Sequence, residues 1–160
     1  MATLARCTRS VMRTLRNQTR SYAEASGNEM KFTFAGANQV YYDNANVRQV
    51  DVPSFSGSFG ILPKHVPTLA VLKPGVVTVY EDATNTKKVF VSSGTVTINE
   101  DSSVQVLAEE AHPVENLDNS AARELLSKAQ QQLTSASSEK DKAEAAIAVE
   151  VAEALVQASS

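Results

Sequence analysis

The chain has 160 residues, 42% hydrophobic and 21% charged, which describes a globular protein with room for one domain and an accessory element. Cys7 is the only cysteine, which excludes an internal disulfide and a thiol cluster for zinc or iron and sulfur. No tract approaches the roughly 18 apolar residues that span a bilayer, so a soluble or peripheral protein is expected.

The first element is a leader. Residues 1-22 contain Arg6, Arg9, Arg13, Arg16 and Arg20, no acidic residue, and interspersed serines and threonines. At about 100° per residue the arginine spacing gathers all five on one side of a helix, with Leu4, Val11 and Leu15 opposite. An amphipathic, acid-free transit peptide for mitochondria is expected, and Arg20-Ser21-Tyr22 before Ala23 resembles a matrix-protease cleavage site. The alternative is a basic arm retained for nucleic acid or membrane. Removing the peptide leaves 10 basic against 18 acidic residues, a net charge of −8, which does not suit nucleic acid or anionic lipid. Residues 23-29 are small and polar and read as a loose terminus.

From Met30 the pattern becomes short alternating runs broken by turns. Phe32 and Phe34 alternate with Lys31 and Thr33; Val40-Tyr41-Tyr42 precedes a turn cluster at Asp43 to Asn46; Val50 and Val52 alternate with Gln49 and Asp51. Gly57 to Leu69 is too interrupted for a helix and too apolar for a solvated loop, and reads as a structured corner between sheets. Further runs follow at Val76 to Glu81, Lys88 to Val91, Thr95 to Asn99 and Val104 to Ala108. Their spacing predicts an antiparallel β-sandwich of eight to ten strands over 30-113.

At Glu115 the period changes. Ala122, Leu125, Leu126, Ala129, Leu133 and Ala136 recur at helical spacing behind Asp118, a predicted N-cap, and the pattern resumes from Lys142 to Ala158 after Ser137-Ser138. An antiparallel α-helical hairpin over 114-160 is expected, making the chain α+β in two parts that meet near Ala111 to Glu115. Its facing residues are largely alanine, so it buries little area and needs the sandwich or a partner for stability.

Residues for catalysis are missing. The sequence has no phosphate loop, nucleophile elbow or His-Glu-x-x-His motif. His65 and His112 stand apart from other metal ligands, Glu109-Glu110 reads as a solvated pair, and one ring of Tyr41-Tyr42 is expected outside the core. We expect no catalytic, cofactor or metal site, and a protein that is part of an assembly.

The central stretch, Gly57-x-Phe59-Gly60-Ile61-Leu62-Pro63-x-His65-Val66-Pro67-Thr68-Leu69 with Leu72-Lys73-Pro74-Gly75, resembles the signature of the F-type ATP synthase subunit family called delta in mitochondria and epsilon in bacteria and chloroplasts. Asn46 to Pro53, Phe90 to Gly94 and Ser103 to Ala111 support it. The resemblance implies a non-catalytic central-stalk subunit at the matrix side of the mitochondrial inner membrane. Its implied partners are the gamma subunit, the small mitochondrial epsilon subunit and the c-ring. It implies a ring-facing contact at Ser56, Gly57, Ser58, Phe59, Leu62 and His65. The alternative within the family is a nucleotide-sensing subunit whose hairpin inhibits ATP hydrolysis. Some bacterial members bind ATP through Ile/Leu-Asp-x-x-Arg-Ala; here Arg123 stands two positions late after Leu117-Asp118, about 200° around the helix. Ala143 to Ser160 also lacks lysine and arginine. Neither ATP binding nor inhibition is expected.

Overall fold

The computed structural model describes residues 30-160; the expected transit peptide 1-22 and loose segment 23-29 lie outside the described residues. Ten strands come first: β1 (Met30–Gly36), β2 (Val40–Val47), β3 (Gln49–Ser54), β4 (Gly57–Ile61), β5 (Thr68–Leu72), β6 (Gly75–Tyr80), β7 (Thr86–Val91), β8 (Gly94–Ile98), β9 (Val104–Ala108) and β10 (Ala111–Pro113). They form one curled sheet in the order β10-β7-β6-β3-β5-β8-β9-β1-β2, with β4 on β3. β3 pairs β6 through Gln49 to Asp51 and β5 through Ser54, and this is where one layer passes into the other. Inward positions alternate as the sequence predicts: Phe32 and Phe34, Val50 and Val52, Val77 and Val79, Val96 and Ile98, Val104 and Val106 close a single core.

Four details differ from the sequence reading. Asp43 to Asn46 is no turn: β2 runs through it, with register shifts against Phe32 to Ala35 and a left-handed Asn44 (φ 50°) whose N–H donates to Thr33 Oγ1. A bulge calls for the same residue types as a turn. The corner is confined to residues 62-67, because β4 and β5 take the rest of the central stretch. β1 and β9 are parallel, which their distant positions in the chain allow without a tight turn. β10 pairs β7 although Ala-His-Pro shows no alternation.

The chain turns from β5 into β6 at Lys73-Pro74, where Gly75 passes so close to β3 that a Cβ would lie 2.9 Å from that of Pro53. After a 3-10 turn at Val114–Asn116 come α1 (Asn119–Ser135) and α2 (Glu139–Ala158). The Asp118 carboxylate caps α1 by accepting from the N–H groups of Ser120 and Ala121. Ser138 caps α2 by accepting from Asp141 N–H, so α2 starts three residues before the predicted Lys142. The buried residues of the hairpin are Ala122 and Ala129 on α1 and Ala145 and Ala152 on α2, seven apart on each helix. Leu125 and Leu133, expected on the facing side, are exposed, because alanine contacts bring the helices too close to enclose a leucine. α2 rests on β6 near its end, where Ala154, Gln157 and Ala158 approach Gly75, Val76 and Thr78.

Candidate interaction site

The corner after β4 is a tight turn. His65 N–H donates to the Leu62 carbonyl (3.1 Å) with Pro63 second and Lys64 third at φ 66°, the arrangement of a type II turn with lysine where glycine is usual. The Val66 carbonyl then accepts from Thr68 Oγ1 at 2.9 Å and lies 2.9 Å from His65 Nδ1. A carbonyl can only accept, so Nδ1 carries the proton and Nε2 is left for another donor. The ring packs against Phe59, centroids 6.1 Å apart.

The structure distributes the six residues of the expected ring contact along β4. Ser56 and Gly57 stand in and beside the β3–β4 turn, where Ser56 N–H donates to Ser54 Oγ and Gly57 has φ 127°. Ser58 follows on the outer face, and Phe59 points inward, half-buried against the core. Leu62 and His65 lie beyond the other end of the strand, which at about 3.4 Å per residue is roughly 14 Å long. Phe59 and His65 are therefore brought together, while Ser56, Gly57 and Ser58 form a separate group.

An apolar surface accompanies them. Phe55, at the tip of the β3–β4 turn, is 82% exposed, and Leu69 on β5 is 73% exposed. The Phe55 N–H donates to the Val71 carbonyl (3.0 Å), which sets it beside β5. From Val71 an outward row crosses the sheet through Thr95, Leu107 and Ala35 to Val40. Val71, Leu107 and Val40 are each more than half exposed. The sequence signal for Leu107 is its parity with Gln105, both falling on the exposed face of β9.

Titratable groups are used structurally. Asp51 accepts from Gln49 Nε2 (2.7 Å) and Tyr80 OH (3.2 Å), and its charge raises the Tyr80 pKa. Glu81 accepts from Tyr42 OH and Lys87 Nζ. His112 lies on β10 opposite Phe90, and Glu109 accepts from Ser93 Oγ. Among the described residues no three His, Cys, Asp or Glu side chains are grouped to hold a metal, and no helix is long and apolar enough to cross a membrane. A cavity of about 500 Å³ opens between the end of α2 and the sheet, lined by Ser58, Lys73, Thr78 and Lys88 among others.

A family model described as the beta-sandwich domain of the ATP synthase delta/epsilon chain matches residues 29–114. A Caenorhabditis elegans protein named ATP synthase subunit delta, mitochondrial, is 49% identical over 138 residues, covering 86% of this chain and 84% of its own length. The protein of that name from Saccharomyces cerevisiae is 43% identical over 138 residues, covering 85% of each. Among solved structures, a chain of the Euglena gracilis mitochondrial ATP synthase assembly of OSCP, F1 and c-ring superposes with TM-score 0.76 at 22% identity over 86% of each chain, a likeness of fold.

Proposed function

The chain belongs to the delta/epsilon family of ATP synthase subunits, and from that premise we propose that it is a non-catalytic rotor subunit of the mitochondrial proton-transporting enzyme. In this reading residues 1-22 direct import, 30-113 form the attachment body and 114-160 the hairpin. The subunit sits peripherally on the matrix side of the inner membrane, against the gamma subunit and the small mitochondrial epsilon subunit, and rests on the c-ring. It locks ring to gamma so that rotation driven by protons reaches the distant catalytic sites.

The observation that carries the reading, beside family membership, is the row of exposed apolar side chains from Phe55 and Leu69 to Val40 on the outside of the β-sandwich. Exposed apolar side chains gathered in one row, interrupted by Thr95, mark a partner face, and transmitting torque calls for a stiff, densely packed body. The ring-facing contact is assigned to Ser56, Gly57, Ser58, Phe59, Leu62 and His65. Leu62 and the free Nε2 of His65 offer an apolar and a polar contact at one end of β4, and the two serines offer hydroxyls at the other. The mechanical reading is favoured over a nucleotide-sensing one because the Asp118 carboxylate is engaged in capping α1.

Crosslinking tests this directly. Leu62→Cys and Ser58→Cys, each in the assembled enzyme with a short thiol-to-amine linker, should give adducts with a ring subunit, whereas Ser137→Cys at the hairpin tip should not. Assembly without ring adducts from either position contradicts the ring-facing assignment.

A further inference from the structure

β4 has a partner on one side only: among the described residues it pairs with β3 and nothing else. The direction of its free groups follows from β3. There the Pro53 carbonyl accepts from Lys73 N–H and the Phe55 N–H donates to the Val71 carbonyl, both at 3.0 Å. Polar groups of alternate residues point to opposite sides of a strand, so Val50, Val52 and Ser54 turn theirs toward β4. Their partners are Ile61, Phe59 and Gly57. The N–H and C=O groups of the intervening Ser58 and Gly60 therefore point away from β3, and both residues are exposed.

Edge strands are ordinarily guarded by charges, prolines, bulges or shortness. β2, at one end of the sheet path, carries the bulge at Asn44; β10, at the other, is three residues long and ends in Pro113. β4 reads Gly-Ser-Phe-Gly-Ile and carries none of these devices. Two further features describe what would fit there. Phe59 is only half-buried, so a strand laid beside β4 would cover it with an apolar side chain. Asp51 lies over Gly60, where an added Cβ would stand 2.7 Å from Oδ1. Its carboxylate has two neutral donors and, among the described residues, no cation in salt-bridge range.

We propose that β4 is completed by an extended segment of another polypeptide of the assembly, hydrogen-bonded to Ser58 and Gly60, with an apolar residue against Phe59 and a basic residue toward Asp51. This rests on the reading of the chain as an assembled subunit, and it adds main-chain pairing to side-chain contact as a means of attachment.

Amide hydrogen exchange over residues 57-61, compared between the free protein and the purified complex, tests it. The Ser58 and Gly60 amides should exchange at least tenfold more slowly in the complex. Ser58→Pro, which removes one outward N–H, should lower the assembled fraction at least tenfold, while Ser58→Ala, which keeps the N–H and loses only the hydroxyl contact, should lower it less than threefold. Equal exchange in free protein and complex overturns the proposal: fast in both means an uncovered edge, and slow in both means an edge covered by the chain's own residues or a second copy. Equal loss for both variants overturns it too, by placing the effect in the hydroxyl. Absence of the protein from the complex defeats the rotor reading instead.

Discussion

Glu81 holds two partners at once, accepting from Lys87 Nζ at 2.9 Å and from Tyr42 OH at 2.8 Å, and the Lys87 Nζ stands 5.4 Å from the Tyr42 ring centroid. Lys87 first and Tyr42 second hold the carboxyl below its usual value of 4.5. Burial, and then Glu81, push the Tyr42 hydroxyl above its usual 10.0. A carboxyl with a depressed folded pKa stabilises the fold fully above its unfolded value and loses that as pH falls through the folded one. A phenol with a raised pKa stabilises below 10.0 and loses that as pH rises. Urea titrations of Glu81→Gln should therefore show a shallower fall in stability below pH 4.5 than the parent, and an unchanged slope would contradict the assignment. Gly94 is constrained by space: a Cβ would lie 2.2 Å from the Leu107 carbonyl oxygen, and its φ is 159°. Gly94→Ala should cost about 3 kcal/mol in denaturant unfolding. Lys64, left-handed without being glycine, should do the reverse, Lys64→Gly gaining about 0.5 kcal/mol. None of this was legible in sequence, since Tyr42 and Glu81 stand 39 positions apart and only the fold joins them.

Helix ends and strand faces were far more legible than edges. Asp118 announced its helix because capping is local chemistry, and the alanines announced closely packed helices, whereas Ser138 read as a break and its cap on α2 was missed. The alternation of Phe32 with Phe34 and Val104 with Val106 marked the core face correctly because a half-buried strand leaves a period of two. Several features escaped. β10 is too short to show a period, and the bulge at Asn44 imitates a turn. The separation of Ser56 from His65 was hidden because β4, two of its five residues glycine, does not read as a strand. At this scale Asp118→Ala should lower stability by about 1 kcal/mol and speed exchange of the Ser120 and Ala121 amides. Ala129→Leu, which overfills the alanine seam, should cost about 2 kcal/mol. Loss confined to the strands would contradict both.

At the scale of the molecule, a β-sandwich bearing an apolar outer face, one unguarded edge and a hairpin set down at the end of α2 fits the proposed connector role. The hairpin lacks basic residues beyond Lys142, so its removal after Leu117 should leave the ATP hydrolysis rate of assembled enzyme unchanged. Coupling of the ring to the catalytic head is tested by a native gel of gently solubilised mitochondria carrying a tagged copy, stained for ATP hydrolysis. The tag should migrate with the hydrolysing band, and depleting the protein should leave hydrolysis uncoupled from proton movement. A tag that migrates alone, beside a complex unaffected by depletion, would contradict it.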